Sequence, residues 1–292
     1  MELAAEEFIQ AKEKELFPED GRGSKQREKL LFSLRFHPNN YQQQHRELAK
    51  DIKETLGEDC QNAIGTHIKN LLKTIVAKHQ TQMEVDGLDT AAILNPGKGK
   101  KGAWKEVYQW LWEQEFSRWL TDWWWEKLQG KAEFTANWLQ FAPLTNQPIL
   151  DARGLIVPPP KEEVKVKITA NTPHQMQLNL PYPNRYLLLF NRGLSTRYCL
   201  CPSQAFAPVG KLSGKKIKMP QDGAMCPDIR FDEAGKEEFL AILVEEEVNL
   251  PWLILSESNP APEWNGEQLQ QLWKSLQKQN WQVFYQDFEV VD

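Results

Sequence analysis

The prolines at positions 158, 159 and 160 divide this chain into two parts whose hydrophobic periods differ. Before them, apolar residues recur every three or four positions, as at Ile64, Ile68 and Leu71, and this spacing predicts amphipathic helices. After them, apolar and polar residues alternate in 164–168 and 175–180, which predicts strands with one buried face. The chain is therefore expected to contain a helical part followed by a β-rich part.

A chain of 292 residues is long enough to form two domains. We predict an α+β protein with a helical domain at residues 1–142, a linker at 143–163 that contains the stiff polyproline stretch, and a β-rich domain at 164–292. The second domain is predicted to be an antiparallel, sandwich-like structure. It ends in a helix at 266–278 and an alternating strand at 281–288, which would protect a sheet edge.

Seven of the twelve tryptophans lie in one predicted helix, residues 103–129. In the second half of this helix, the stripe with helical period runs through Trp119, Leu120 and Trp123. Three tryptophans lie off the stripe: Trp110, Trp124 and Trp125. They need another surface to cover them, which could be the interior of the protein, a partner protein or the stacked bases of a single strand. Since aromatic residues concentrate in interface hot spots, these three are the predicted protein-binding residues.

Two predicted helices are separated by Gly57, which is the expected C-cap of the first, and together they invite a helix-turn-helix interpretation. An ordinary helical hairpin is the alternative. The exposed face of the second helix and the loop that follows carry the candidate nucleic-acid-binding residues, Lys69, Lys73, Lys98, Lys100, Lys101 and Lys105. The loop is not a P-loop, because it lacks the spacing G-x-x-x-x-G-K followed by Ser or Thr.

The charge balance argues against nucleic acid as the main partner. Lys and Arg total 35 against 40 for Asp and Glu, whereas a protein that neutralises many phosphates usually has a basic domain. Nucleic-acid binding is therefore predicted to be weak. The first residues are acidic where a secretory signal would be basic, and no apolar stretch approaches the roughly 18 residues of a membrane span. We predict a cytoplasmic protein that makes no membrane contact.

The cysteines do not match a common metal motif. Cys199 and Cys201 are separated by one residue, whereas structural zinc sites use Cys-x-x-Cys. Buried reduced thiols are predicted, and the alternative is a metal site completed by Cys226 and His174. We expect no bound metal and no cofactor.

The sequence also contains no recognisable catalytic arrangement of its five histidines, and it has neither a caspase-type His and Cys pair nor a kinase motif. Asp228, Asp232 and Glu233 cluster in one predicted loop, where a solvated surface is expected rather than paired-carboxylate chemistry. We therefore predict that the protein is not an enzyme.

A resemblance to a known family rests on three segments in order: NRYLLLFNRG at 184–193, YCLCP at 198–202 and EFLAILV at 238–244. Approximately residues 160–250 resemble a bacterial domain of unknown function that is common in cyanobacteria and is often appended to caspase-like peptidases and protein kinases. In that family, a strand of the form tyrosine-leucine-leucine-leucine-phenylalanine-asparagine precedes a strand ending in phenylalanine or cysteine and proline. The resemblance implies a small β-sandwich that accompanies signalling or effector modules, with no catalytic residues to carry across.

These observations together predict a non-enzymatic protein-interaction or regulatory module of a bacterial signalling or effector system, with another protein as its partner. The alternative is a nucleic-acid-binding transcriptional regulator that uses the helix pair and the basic loop.

Overall fold

The computed structural model describes residues 2–18, 25–96, 102–135, 137–144 and 168–292. By their internal contacts the residues separate into two compact units, Met1–Leu120 and Thr121–Asp292. The first unit is helical, and the second contains two β-sheets, a C-terminal helix and a C-terminal strand. The predicted α+β class and the order of its parts are confirmed.

The first unit is a set of helices packed around one apolar core. Its helices are α1 (Glu2–Leu16), α2 (Gln26–Phe36), α3 (His45–Leu56), α4 (Ile64–Val85), α5 (Thr90–Leu94) and α6 (Ala103–Trp110). Gly57 ends α3 in the left-handed conformation (φ 73°), which a residue without Cβ adopts at little cost, so the predicted C-cap is confirmed. Residues with helical spacing on α4, including Ile68, Leu71 and Ile75, are buried in this core.

The tryptophan-rich helix contains a π-helical turn that the sequence did not predict. Helix α6 is followed by the π turn Leu111–Glu115 and then by α7 (Phe116–Gln129). A π turn bonds residue i to i+5 and so holds one residue more than an α turn, which shifts every later position along the stripe by one. The predicted stripe at 119, 120 and 123 is accordingly replaced by buried Leu120, Thr121 and Trp124.

The second unit is a sandwich of two sheets. Its strands are β1 (Ala132–Glu133), β2 (Leu139–Pro143), β3 (Ile168–Thr169), β4 (His174–Asn179), β5 (Tyr186–Arg192), β6 (Arg197–Cys201), β7 (Lys216–Met219), β8 (Gly235–Val244) and β9 (Trp281–Val291). One sheet has the order β1-β9-β8-β5-β6, with β3 also paired to β9, and the other has the order β2-β4-β7. Most pairs are antiparallel, but β1 and β3 both pair with β9 in parallel.

Alternate residues of the large sheet face the small sheet. Phe239, Ala241 and Leu243 of β8 join Met176 and Leu178 of β4 in the sandwich core. The opposite face of the large sheet also carries buried residues, and Phe190 on that face packs edge-on against Trp264. Helix α8 (Gly266–Leu276) buries Leu269, Leu272 and Leu276. Strands β5 and β8 of the large sheet are therefore buried on both faces, which explains their continuous apolar runs, whereas β2 and β4 of the small sheet are buried at alternate residues.

The boundary between the units differs from the predicted one. Residues 121–142, predicted to belong to the helical domain, lie in the second unit, because β2 pairs with β4 from Leu139 to Pro143. Most of the predicted linker 143–163, and residues 164–167 of the predicted first strand, lie outside the described residues. None of the helices in the described ranges is long and apolar enough to span a membrane.

Candidate functional site

A cavity of about 480 Å³ lies in the second unit, at the end of the sandwich where β5 ends and β8 begins. Four aromatic residues line it: Tyr198, Phe206, Phe231 and Phe239. Three carboxylates also line it: Asp232, Glu233 and Glu237. Small-ligand sites have volumes of roughly 300 to 1,000 Å³ and combine apolar walls with a few polar groups, so this cavity has the size and composition of a binding site.

Backbone hydrogen bonds hold the loop that closes one side of the cavity. His174 and Ile229 exchange two backbone hydrogen bonds of 2.9 Å, the Cys226 N–H donates to the Ala205 carbonyl at 2.9 Å, and the Asn171 N–H donates to the Phe231 carbonyl at 2.8 Å. The loop is thus attached to the sandwich at several points. A site built on such an anchored loop is organised before a ligand arrives.

Glu237 is the central polar group of the cavity. It lies two residues before Phe239 on β8 and therefore occupies a position of the sandwich-core face, where its residue is only 7% exposed. The Asn191 side chain donates from Nδ2 to Glu237 Oε2 at 2.7 Å. The other oxygen, Oε1, accepts no hydrogen bond from the residues that the structure describes. Glu237 thus has one oxygen bonded to Asn191 and one that no described residue bonds, at the wall of the cavity.

Gly193 leaves room for this carboxylate. A Cβ atom on Gly193 would lie 2.5 Å from Glu237 Oε1 and 2.8 Å from Thr196 Oγ1, which is closer than van der Waals contact permits. The Gly193 N–H donates to the Thr196 carbonyl at 2.9 Å and so closes the turn between β5 and β6. A side chain at position 193 would therefore force the Glu237 carboxylate or the Thr196 hydroxyl to move, so the turn and the position of the carboxylate are linked.

The surroundings of Glu237 disfavour its charged form. Desolvation raises the pKa of Glu237, the hydrogen bond from Asn191 opposes that change, and the charges of Glu233 and Glu238 raise the pKa further. A perturbed carboxyl group in a cavity is typical of a functional site. A cation placed against Oε1 would donate a hydrogen bond to it and offset the repulsion from Glu233 and Glu238.

The cavity lining is acidic overall. Arg230 is the basic residue among its lining residues, and its guanidinium already forms two hydrogen bonds with Asp228, at 2.8 and 2.9 Å. Arg230 therefore does little to neutralise Asp232, Glu233 and Glu237. The arrangement is suited to a positively charged ligand with an apolar or planar portion, since aromatic faces also attract cations.

The three tryptophans predicted to bind a protein are buried. Trp110, Trp124 and Trp125 are 2%, 6% and 0% exposed. The Trp110 Nε1 donates to Asp86 at 2.7 Å, and the Trp125 ring stacks on Trp264 with centroids 4.9 Å apart. So little ring surface remains that these residues do not form the partner-binding surface predicted from the sequence. The π turn explains this outcome for Trp124 and Trp125, because it rotates them into the core.

The candidate nucleic-acid-binding lysines are only partly within the described residues. Lys69, Lys73 and Lys105 are exposed, as predicted, whereas residues 98, 100 and 101 lie outside the described ranges. The helices α3 and α4 are separated by residues 57–63, a longer connection than the three or four residues usual in a helix-turn-helix. On α3, Lys53 pairs with Asp59 at 2.8 Å, so its charge is already matched within the chain.

Two cysteines are buried thiols. Cys199 and Cys201 are both free and fully buried, and each donates to backbone carbonyls, Cys201 to Leu187 at 3.5 Å. Burial raises the pKa of Cys201 to about 12 and that of Cys199 well above its ordinary value. Among the described residues, no group of three or more His, Cys, Asp or Glu side chains could hold a metal ion.

The acidic loop was predicted from the sequence to be exposed, whereas Glu237 was missed as a site residue. Asp228 forms an ion pair with Arg230, while Asp232 and Glu233 are exposed at the cavity, so their solvent exposure follows the prediction but their role as lining residues does not. Glu237 was not predicted as a site residue. A signal was present, because Glu237 precedes Phe239 by two positions and so places a carboxylate on the apolar face of a strand.

Comparison of the chain with protein-family models, with curated proteins and with solved structures finds no match.

Proposed function

We propose that this protein is a non-enzymatic interaction module whose second unit receives a basic side chain of a partner protein in the cavity around Glu237. The observation that carries the proposal is the carboxylate of Glu237, which Asn191 holds at the cavity wall through Oε2 while Oε1 accepts no hydrogen bond from the described residues. A cationic ligand that binds there would form a charge-assisted hydrogen bond with Oε1, which is stronger than a bond between neutral groups.

Charge complementarity supports a basic partner. The lining carboxylates of Asp232, Glu233 and Glu237 lie together, and the one cation of the lining, Arg230, is bound to Asp228. A negative concave surface of this kind attracts positive groups and raises their rate of association.

The exposed apolar side chains at the rim of the cavity favour a polypeptide as the ligand over a free small molecule. Leu194 lines the cavity and is 75% exposed, and Met225, the neighbour in sequence of the lining residue Cys226, is also exposed. A small ligand inside the cavity would leave these apolar side chains in water, whereas a peptide whose basic side chain enters the cavity would cover them. Burial of apolar surface beside a charged anchor is typical of protein interfaces.

The state of the reactive groups supports a binding role over catalysis. The two buried thiols are held protonated as donors to backbone carbonyls. The ring of His174 bonds the Thr172 carbonyl at 2.7 Å and packs against Phe141 and Phe231. The free cysteines are in keeping with a reducing compartment, which we take to be the cytoplasm. The resemblance of residues 160–250 to a domain appended to peptidases and kinases supports a place in a bacterial signalling or effector system.

The test uses the full chain and three fluorescently labelled peptides of the form Ala-Leu-X-Leu-Ala, in which X is arginine, lysine or norleucine. Fluorescence anisotropy measures their dissociation constants. We expect at least one basic peptide to bind about tenfold or more tightly than the norleucine peptide, because only a basic side chain can pair with Glu237.

Two matched variants locate the binding. Glu237→Gln should remove the preference for the basic peptides, and Glu257→Gln, which changes an exposed carboxylate outside the cavity lining, should preserve it. Equal binding of all three peptides, no binding at all, or a preference that survives in Glu237→Gln would contradict the proposal.

A further inference from the structure

We infer that the basic side chain received by the cavity is an arginine rather than a lysine. This inference rests on the function proposed above and names the chemistry of its ligand. It depends on three features of the second unit: the aromatic walls, the free acceptor sites of Glu237 and the acidic rim.

The aromatic walls favour a guanidinium. Tyr198, Phe206, Phe231 and Phe239 line the cavity together with Glu237, so a ligand that enters exchanges part of its hydration for contact with aromatic rings. A guanidinium is more weakly hydrated than an ammonium, and its flat face can stack on an aromatic ring. An ammonium is a compact and strongly hydrated charge, so the same transfer from water costs more.

The acceptor sites match a planar donor. Each oxygen of a carboxylate can accept two hydrogen bonds, so Glu237 Oε2 has one site left beside Asn191 Nδ2, and Oε1 has both sites. A guanidinium can approach such a group with two parallel N–H donors. Its remaining donors would point toward the rim, where Glu233 accepts a hydrogen bond from the Ser195 hydroxyl at 3.1 Å and has further capacity.

Two arginines of the chain, Arg35 and Arg192, are each held by an aromatic ring together with oxygen acceptors. Arg35 in the first unit is fully buried, lies 3.7 Å from the ring centroid of Trp104, and donates to the Gln43, Asn40 and Tyr41 carbonyls. In the second unit, Arg192 lies 5.0 Å from the Trp125 ring centroid and bonds Glu238 at 2.6 Å. An aromatic face together with oxygen acceptors is thus sufficient to hold a guanidinium in this protein, and the cavity offers both.

A buried lysine of the first unit has different partners. Lys12, whose side chain is 8% exposed, bonds two carboxylates, Glu15 at 2.8 Å and Glu115 at 2.5 Å. An ammonium in the cavity would find one buried carboxylate and, on the other sides, aromatic rings. The cavity therefore satisfies a guanidinium more completely than an ammonium.

The experiment compares the peptide Ala-Leu-X-Leu-Ala with X as arginine, lysine or citrulline, on the full-length wild-type protein. We expect the arginine peptide to bind about tenfold more tightly than the lysine peptide, in line with the usual strength of stacked cation contacts. Citrulline has the shape of arginine without the charge, and its peptide should bind at least about tenfold more weakly than the arginine peptide.

The variant Phe206→Leu tests the stacking contribution, with a thermal melt to show that the second unit still folds. It should weaken the binding of the arginine peptide more than the binding of the lysine peptide. Lysine binding as tightly as arginine, or citrulline binding as tightly as arginine, would overturn the inference even if the variant does not fold. If lysine equals arginine and both exceed norleucine, this inference fails and the proposed function stands, whereas if neither exceeds norleucine, both fail.

Discussion

Glu115 of the first unit and Glu237 of the second are both carboxylates held away from water, but their partners differ. Glu115 bonds Lys12 at 2.5 Å and Arg118 at 3.0 Å, and Arg118 in turn bonds Asp86, which also accepts from Trp110. Every charge in that network meets an opposite charge. Glu237 has one neutral amide donor and two carboxylate neighbours.

The pKa values of the two groups record the same difference. Burial alone would raise the pKa of Glu115, but the hydrogen bonds and charges of Lys12 and Arg118 outweigh it and lower the pKa. For Glu237, desolvation prevails and the pKa is raised. A charge with a full set of partners stabilises the fold, whereas a charge kept at a cost in stability is typical of a binding site.

The largest effect is expected for Glu115→Gln. This change leaves Lys12 with Glu15 alone and should lower the free energy of unfolding of the first unit by about 3 kcal/mol, as for a broken buried ion pair. Urea unfolding followed by circular dichroism measures it. Glu113→Gln, an exposed carboxylate two residues earlier, is the control and should change little. If the two variants were equally stable, the network would not have the stabilising role given to it here.

The second effect concerns Gly193→Ala. The added Cβ would collide with Glu237 Oε1, so the variant should lose about 2 kcal/mol in the second unit. In a Glu237→Ala background the collision with Glu237 is absent and only that with Thr196 Oγ1 remains, so the same change should cost at least about 1 kcal/mol less. A double-mutant cycle by urea unfolding gives this coupling. Additive effects of the two changes would show that the glycine is not required by the carboxylate.

The third prediction is a gain in the free energy of unfolding, whereas the first is a loss. Glu237→Gln keeps the shape of the side chain and removes the desolvated charge, so the second unit should become about 1 kcal/mol more stable at neutral pH. Thermal and urea unfolding of the wild type and the variant would measure this gain. A loss of stability comparable to that of Glu115→Gln would make Glu237 a structural residue and would remove the contrast.

The smallest expected effect is the pH dependence of the stability difference between wild type and each of the two Gln variants, Glu115→Gln and Glu237→Gln. An unfolded Glu titrates near about pH 4.3. Since the folded pKa of Glu237 is raised, its stabilising contribution is present below that pH and is lost as the pH rises through the folded value. Since the folded pKa of Glu115 is lowered, its contribution is present above pH ~4.3 and is lost as the pH falls through the folded value.

The measurement is the free energy of unfolding of each Gln variant relative to wild type, between about pH 3 and 8, a range that brackets the ordinary Glu titration. Relative to its Gln variant, wild type should lose stability with rising pH at position 237 and gain it at position 115. Slopes of the same sign would contradict the assignment of opposite environments.

Much of the fold was predictable from the sequence because the signals are local. Alternation in 175–180 indicated β4, the apolar run at 186–190 indicated β5, and helical spacing at 266–278 indicated α8. Each pattern spans one element and repeats with the period of that element. The domain boundary was less accurate, because β2 is defined by its partner β4 about thirty-five residues away in the chain.

The predicted stripe was wrong after residue 115, because a π turn leaves no local signature in the hydrophobic pattern. The one added residue moved Trp124 and Trp125 into the interior, where they meet Trp273 and Trp264. A strict helical period therefore assigned the wrong face to the second half of the helix.

The class, the order of the helical and β parts and the buried face of β4 could be read from the sequence, since these depend on periods within short segments. The burial of Glu237, its hydrogen bond from Asn191, forty-six residues earlier, and the close approach of its carboxylate to Gly193 depend on tertiary contacts. Such a site depends on contacts between residues far apart in the chain. Each of its residues is unremarkable in its own segment, and their chemistry appears when the sandwich brings them within hydrogen-bonding distance.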